Sequence, residues 1–352
     1  MPDTIQGFVL LDVDVAALNN AGKDTATTLE NAVATKKIIK AGKSYAYVSG
    51  QAWRYWWREV LKMNFNWNMS PVTRESKIAF TEANPIIYAD DDLFGYMRAA
   101  KEETTDQKGK IKSINVTLTR ISPLKNSVLI AVSPTQIVQN WSTMARQEGD
   151  AVPYSKDEYC AVMKGMFSIS LDQVGTFAAI EKTGFKNLNE SLKKLAIANG
   201  ATEINDPFAK DKNGNPLKLH RLPRDIRFQR IKDILLALEV LNGGAMQTCN
   251  LADVTPKLIV LTTLNGGNHL FSHLAKDDLG KPVFSLEALK QVVRDYLERL
   301  AGKVYIGRRL GFMDELEDKL QEYAKQEKDM IFYGSVNEAI RKYVEELKNQ
   351  IP

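Results

Sequence analysis

Apolar and polar positions alternate from Gly7 to Val15. Val9, Leu11, Val13 and Val15 share one face and Asp12 and Asp14 the other, a pattern that predicts a half-buried strand. Two further short strands are predicted at Ala34–Lys40 and Ser44–Val48, around Ala41-Gly42. Ser113–Ile121 and Ser127–Ser133 read as a hairpin, with further strands at Gly165–Leu171 and Lys257–Leu264. Helices are predicted at Asn189–Ala198, at Arg224–Leu241 after Pro223, and at Leu286–Ala301, Phe312–Lys328 and Ser335–Asn349. The last begins with a capping box, Ser335 with Glu338. Asn64 to Lys112 has no clean period. Its final stretch, Lys101 to Lys112 (KEETTDQKGKIK), reads as a mobile loop.

The helix predicted over Ser49–Lys62 is the most informative. Ser49 suits the N-cap, because its hydroxyl satisfies a free amide of the first turn. Trp53, Trp56, Trp57, Val60 and Leu61 form one apolar stripe at helical spacing and are expected in the core. At 100° per residue, Gln51, Arg54, Arg58 and Lys62 fall on the opposite face. That face reads either as a stripe for phosphates or as an ordinary solvated surface that happens to be basic.

Taken in order, the strand at Gly7–Val15, the helix at Ser49–Lys62, the hairpin at Ser113–Ser133, the helix at Arg224–Leu241 and the strand at Lys257–Leu264 spell β-α-β-β-α-β. The predicted class is therefore α+β, an RRM-like or ferredoxin-like unit with large helical and hairpin insertions and C-terminal helices. Base-stacking aromatics of the usual RRM type are absent. The predicted division is 1–62 as the first part of this unit, 63–200 as an insertion carrying the hairpin 113–133, and 201–222 as a basic hairpin. Residues 223–300 form the second part and 301–352 the C-terminal helices. Within the third segment, Asn213-Gly214 is a strong turn signal with basic flanks poor in core residues. It reads as a protruding hairpin or as a surface insertion.

Charge sharpens this picture. The 352 residues carry 47 Lys+Arg against 43 Asp+Glu, but unevenly. Asn20–Lys62 holds eight basic residues against three acidic, and Phe208–Lys232 eight against two; Met313–Pro352 holds ten acidic against six basic. Such segregation attracts a polyanion even when the mean charge is small. Two cysteines, Cys160 and Cys249, and three histidines argue against a disulfide framework or a zinc site. The acidic run Asp90-Asp91-Asp92 suits a divalent ion or, better, a solvated turn or helix start. With no apolar stretch of membrane-spanning length and no export signal, a cytoplasmic protein is expected.

No nucleotide-binding, metalloprotease or nucleophile-elbow motif occurs. What remains is binding chemistry: lysines and arginines for phosphates, amides for sugars and base edges, and the glycines of Leu264–Leu270 (LNGGNHL), which permit close backbone approach. His269, beside those glycines, reads as a phosphate contact or general base, or as a structural loop residue.

Several segments resemble the DevR-type branch of the CRISPR-associated backbone subunits, the repeat-associated (RAMP) proteins of type I-B Cascade. They are Val13–Asp24 (VDVAALNNAGKD), Tyr47–Arg58 (YVSGQAWRYWWR), Asp92–Met97 (DLFGYM), Thr119–Ser127 (TRISPLKNS), Gly175 with Thr183–Asn189 (TGFKNLN), Gly243–Gln247 (GGAMQ) and Thr255–His269 (TPKLIVLTTLNGGNH). The resemblance runs from about Gly7 to Leu300. It implies a hand-shaped scaffold without catalysis or cofactor, its thumb displacing a guide nucleotide at intervals. Copies stack into a helical filament on CRISPR RNA and present it for pairing with target DNA, alongside other Cascade subunits. The RNA-binding residues expected are Asn19, Asn20, Lys23, Lys43, Ser49, Gln51, Arg54 and Arg58 near the N-terminus. Lys210, Lys212, Lys218, His220 and Arg221 belong to the basic hairpin, the candidate thumb. Gln247, Asn265, Gly266, Gly267, Asn268 and His269 complete the set. Two alternatives remain: a metal-dependent endoribonuclease using Asp24, comparable to a loop aspartate of type III relatives, and a DNA-binding regulator, for which no helix-turn-helix signature is found.

Overall fold

The computed structural model describes residues 3–23, 31–75, 78–105, 111–144, 148–180 and 182–352. In chain order the strands and helices of the first half are β1 (Asp3–Ala16), β2 (Asn20–Lys23), β3 (Ala32–Thr35), β4 (Lys37–Lys40), β5 (Lys43–Val48), α1 (Gly50–Asn64), β6 (Thr73–Glu75), β7 (Ile78–Phe80), α2 (Ala89–Phe94), β8 (Tyr96–Thr105), β9 (Ile111–Arg120), β10 (Leu124–Asn126), β11 (Leu129–Ala131), β12 (Val138–Met144) and β13 (Val152–Ser170). There follow β14 (Thr176–Ala178), α3 (Glu190–Ala198), β15 (Thr202–Lys210), β16 (Pro216–Arg221), α4 (Arg224–Leu236), α5 (Gln247–Asn250), β17 (Leu258–Asn265), β18 (Ala275–Asp278), β19 (Lys281–Phe284), α6 (Leu286–Asp295), β20 (Val304–Arg308), α7 (Glu317–Gln326), β21 (Ile331–Gly334) and α8 (Val336–Leu347).

The protein is mixed α+β, built on a large, mostly antiparallel sheet with spatial order β21-β20-β17-β1-β13-β11-β5-β4. β1 lies at its centre, antiparallel to β13 on one side and β17 on the other. Its Ile5, Val9, Leu11 and Val13 join the core beneath α1, α4 and α8. Its Phe8 and Leu10 join a second core beneath α6 and α7. The strand is therefore covered on both faces up to Leu11, not half-buried as its Asp12/Asp14 alternation predicts. Only its last turn emerges, where Val15 takes φ +38° at a register shift.

α1 packs its tryptophans as predicted. Trp53 and Trp57 stack at 5.4 Å, Trp57 meets Phe167 edge-on at 5.4 Å, and Trp57 Nε1–H donates to Ile234 O at 2.9 Å. The close approach of helix and sheet requires glycine beneath it. A Cβ on Gly165 would stand 2.5 Å from Leu129 Cδ2 and 3.0 Å from Trp53.

Several sequence expectations are overturned. Residues 113–133 do not form one hairpin: β9 pairs with β8, whereas β10 and β11 pair with β13. Lys101–Lys112 is accordingly strand at both ends rather than loop, with 106–110 outside the described residues. The C-terminal segment is not helical alone; β20 and β21 extend the main sheet. Asp90, Asp91 and Asp92 do begin a helix but are buried rather than solvated. Asp92 pairs with Arg120 and, at 2.6 Å, with Arg230; Asp90 accepts from Ser70 N and Asp91 from Asn84 N. Among the described residues no acidic, His or Cys group is arranged to hold a metal ion, and no helix is long and apolar enough to cross a membrane.

Candidate nucleic-acid interface

The residues singled out by sequence fall into three places. The first is the C-terminal end of β1, where three of the resemblance-bearing segments meet. Asn19 Oδ1 accepts from Ser49 N at 2.9 Å, tying the strand exit to the start of α1. Ser49 Oγ in turn caps Ala52 N at 3.3 Å. The loop 243–247 closes over both: Ala245 N donates to Leu18 O at 3.0 Å. A Cβ on Gly243 would lie 2.2 Å from Trp56 Cγ, so no other residue fits there. Gln247 Nε2 holds the loop by donating to Gly243 O and to Ala252 O. Asn19, Ser49 and Gln247 are therefore occupied within the chain, while Asn20, Lys23 and Gln51 are exposed around them. The first turn of α1 contains no acid to neutralise its amides, so this end of the helix is electropositive. Asp24 lies outside the described residues.

The second place is the opposite end of β1. Asp3 pairs with Asn265 and accepts from its Nδ2 at 3.2 Å. Gly266, at φ +145°, turns the chain into exposed Gly267, Asn268 and His269, and His269 Nδ1 lies 3.2 Å from Gln6 Oε1. Along a strand of 14 residues rising about 3.3 Å each, this group stands about 40 Å from the first. One copy does not join them.

The third place is the hairpin β15–β16, which with β14 makes a small separate sheet. Lys210, Lys212 and Lys218 are exposed on it. His220 is not: it is 5% exposed, and burial pushes its imidazole down from the usual histidine range. Arg221 is half-buried and donates Nε–H to Thr176 Oγ1 at 3.1 Å. Lys43 stands apart from all three, exposed on the β4–β5 edge hairpin.

The helical stripe does not survive as a phosphate track. Arg54 donates to Leu124 O at 2.7 Å, Phe94 O at 2.8 Å, Ser122 Oγ at 2.9 Å and Asn126 Oδ1 at 3.1 Å. Burial and the neighbouring Arg58 push its pKa down to about 10. Arg58 lies over the Phe94 ring at 4.2 Å, its pKa lowered by burial against the opposing pull of Asp90 and Asp91. Both arginines fasten α2 and β10 to α1, and only Gln51 and Lys62 of the four remain exposed. The second basic segment loses members in the same way. Arg227 is 1% exposed and donates to Val174 O and Leu171 O; Arg230 donates to Pro85 O and Ile86 O.

Sequence reasoning missed an arm. β13 leaves β1 at Tyr159, and its first half, with β12 and β3, continues past the end of β1. This ribbon exposes Trp141, Val138 and Met144. Its base is held by Glu158, which accepts from Asn140 at 2.6 Å and Asn250 at 2.9 Å and pairs with Lys156 at 2.7 Å. Strict alternation is absent from 138–160, so period alone gives no signal there.

The class defined here is an α+β protein on a broad, mostly antiparallel sheet, with exposed lysines on its hairpins and amides at its strand ends, groups compatible with a polyanion. The family described as the CRISPR-associated negative auto-regulator DevR/Csa2 matches residues 9–280, and the chain belongs to it. A solved chain titled "CRISPR RNA-guided surveillance complex, pre-nicking" is similar in fold at 10% identity, with TM-score 0.50, covering 97% of this chain and 99% of its own length. A second, "CRISPR RNA-guided surveillance complex", aligns at 10% identity and TM-score 0.43 over 91% of this chain and 99% of that one. No curated protein matches the sequence.

Proposed function

We propose that the protein is a guide-RNA-binding backbone subunit of a type I-B Cascade surveillance complex, a scaffold without catalysis of its own. It would polymerise along CRISPR RNA and present it for pairing with target DNA. The observation that carries this reading is the meeting of β1's exit, α1's acid-free, electropositive start and the 243–247 loop, which leaves Asn20, Lys23 and Gln51 exposed on one rim. Such groups hold a sugar-phosphate chain without reading its sequence, as arbitrary guides require.

The strand order supports an RRM-like palm. β17, β1, β13 and β11 stand side by side as fourth, first, third and second of their set, with α1 and α4 as crossovers, the arrangement of a β-α-β-β-α-β unit. The separation of the two site groups to opposite ends of β1 supports head-to-tail stacking. A heterologous contact places one copy's near end against the next copy's far end, so RNA laid across copies meets both. Two elements protrude as thumb candidates: the lysine-bearing β15–β16 hairpin and the β12–β13 arm with exposed Trp141.

The test is to co-express the chain with a CRISPR array and partner subunits, purify it, and sequence the bound nucleic acid. Repeat-spacer RNA of uniform length supports the reading. Specific operator DNA bound by the lone protein supports a regulator instead. Regular cuts in complementary RNA with magnesium, abolished by Asp24→Ala, support an endoribonuclease.

A further inference from the structure

The main sheet ends at β21, and that end is open. β21 lies last in the strand order and among the described residues pairs only with β20, in parallel from Val304↔Ile331 to Gly307↔Gly334. Val304 N donates to Met330 O at 2.8 Å. Backbone groups alternate in direction along a parallel ladder, so that bond turns Phe332 and Gly334 toward β20 and Ile331 and Tyr333 away from it. Ile331 N is taken by Glu327 O at 2.7 Å. The Ile331 carbonyl and both backbone groups of Tyr333 are left on the outer edge. Such a row is a template for one more strand.

The edge lies in a cleft of about 1080 Å³ between α7 and the first turn of α8. Ala324, Phe332 and Leu310 give it apolar surface, and Leu310 is 81% exposed. The charges in the cleft are of two kinds. Its acids are occupied within the chain: Glu317 accepts from Arg308, Tyr333 and Gln321, and Glu338 accepts from Ser335 N at 2.8 Å. Its cations Arg309, Lys325 and Lys328 are exposed, and their side chains engage no partner among the described residues. Free positive charge therefore collects here although Met313–Pro352 as a whole is acidic. The same cations oppose edge-to-edge pairing of two copies, because like charges would meet. The cleft lies beyond residue 280, where the family match ends.

We propose that this cleft docks an extended, acidic peptide segment of a partner protein, which adds a strand to the sheet beside β21. Its backbone N–H donates to the Ile331 carbonyl and its carbonyl accepts from the Tyr333 amide. Its apolar side chains meet Phe332, Ala324 and Leu310, and its carboxylates meet Arg309, Lys325 and Lys328. In strand addition the main-chain bonds give affinity and alternate side chains give specificity. The proposal is independent of the RNA-binding reading above, because no residue of that site lines the cleft.

The test uses the full-length protein and a fluorescein-labelled decapeptide that alternates valine and glutamate, with a valine–lysine decapeptide as its counterpart. The acidic peptide binds and the basic one does not. On binding, hydrogen exchange of the Tyr333 amide slows. N-methylation of one alternate set of the peptide's amides abolishes binding, whereas N-methylation of the other set preserves it, because only one set faces the sheet. Combining Arg309→Glu, Lys325→Glu and Lys328→Glu weakens binding by roughly 10-fold or more, as the loss of three rim ion pairs requires. These side chains are exposed and unpaired, so the urea midpoint of the variant stays that of wild type, and the methylated peptides test wild type in any case. Equal affinity for the acidic and basic peptides, equal binding of the two methylated sets, or an unprotected Tyr333 amide overturns the proposal. Displacement of the peptide by single-stranded RNA, with RNA binding lost in the triple variant, assigns the cleft to nucleic acid and overturns it. A dimer of the free chain in which the Tyr333 amide is already protected assigns the edge to a second copy and overturns it too. Failure of the chain to bind RNA at all counts against the proposed function and leaves the peptide result standing.

Discussion

Arg54 and Arg58 sit one turn apart on a helix whose sequence marks them for solvent, yet both fold inward. The reason is geometric: α2 and β10 lie alongside α1, and their carbonyls at Phe94 and Leu124 need donors. Arg54→Ala leaves these acceptors unpaired. It should lower unfolding free energy by about 2–4 kcal/mol in urea denaturation while leaving the salt slope of RNA binding unchanged. Gly243 is a second residue whose role is spatial. Gly243→Ala forces a methyl into the Trp56 ring and should cost about 1–3 kcal/mol, read as a lower urea midpoint. At the far edge, Glu317 accepts from the Tyr333 hydroxyl and from Arg308, which together hold its pKa at about 2, below the ordinary 4.5. A depressed carboxylate stabilises the fold fully above its unfolded value and loses that contribution as the pH falls from 4.5 toward 2. Glu317→Gln should therefore flatten the acid limb of the stability curve across that window, measured by thermal melts at successive pH values.

Among the elements that stay basic on the outside, alongside the β4–β5 edge hairpin with Lys37, Lys40 and Lys43, the β15–β16 hairpin carries Lys210, Lys212 and Lys218. Its turn is pinned by Asp211 Oδ1, which accepts from Asn213 N at 2.8 Å and Asn215 N at 2.9 Å, while Gly214 adopts φ +84°. Replacing Lys210, Lys212 and Lys218 by alanine together should reduce the salt slope of RNA binding by about two units, since each phosphate contact on a single strand contributes about 0.7. A slope equal to wild type would remove the hairpin from the interface. Helix starts were legible where a cap is local: Ser49, Asn189 and Ser335 each cap the helix predicted to follow, whereas the helix predicted from Phe312 begins at Glu317. Strand partners were not. The stretch 113–133 has alternation and a turn, the marks of a hairpin, yet β9 finds its partner upstream and β10 and β11 find theirs in β13. Pairing is decided by which edges meet, and sequence spacing carries only part of that information.

For the whole molecule, the proposed function makes a single copy an incomplete RNA holder, because its two site groups lie at opposite ends of β1. Apparent affinity should thus rise with RNA long enough to seat several copies. Sedimentation with RNA of increasing length should show stepwise addition of protomers; a single bound copy at every length would exclude head-to-tail stacking. The sequence alone determined most of the helices, the tryptophan core of α1, the presence of the Gly7–Val15 and Lys257–Leu264 strands and the basic hairpin, because each is written in nearest-neighbour periodicity and capping chemistry. It also carried the family resemblance, whose motifs are contiguous. Tertiary structure decided which charges face water, which strands pair, and that β20 and β21 complete the sheet. It also set the arm of β12 and β13 beyond the end of β1. Those outcomes depend on contacts between residues far apart in the chain, and an arginine becomes interior only when a distant carbonyl or carboxylate is brought to meet it.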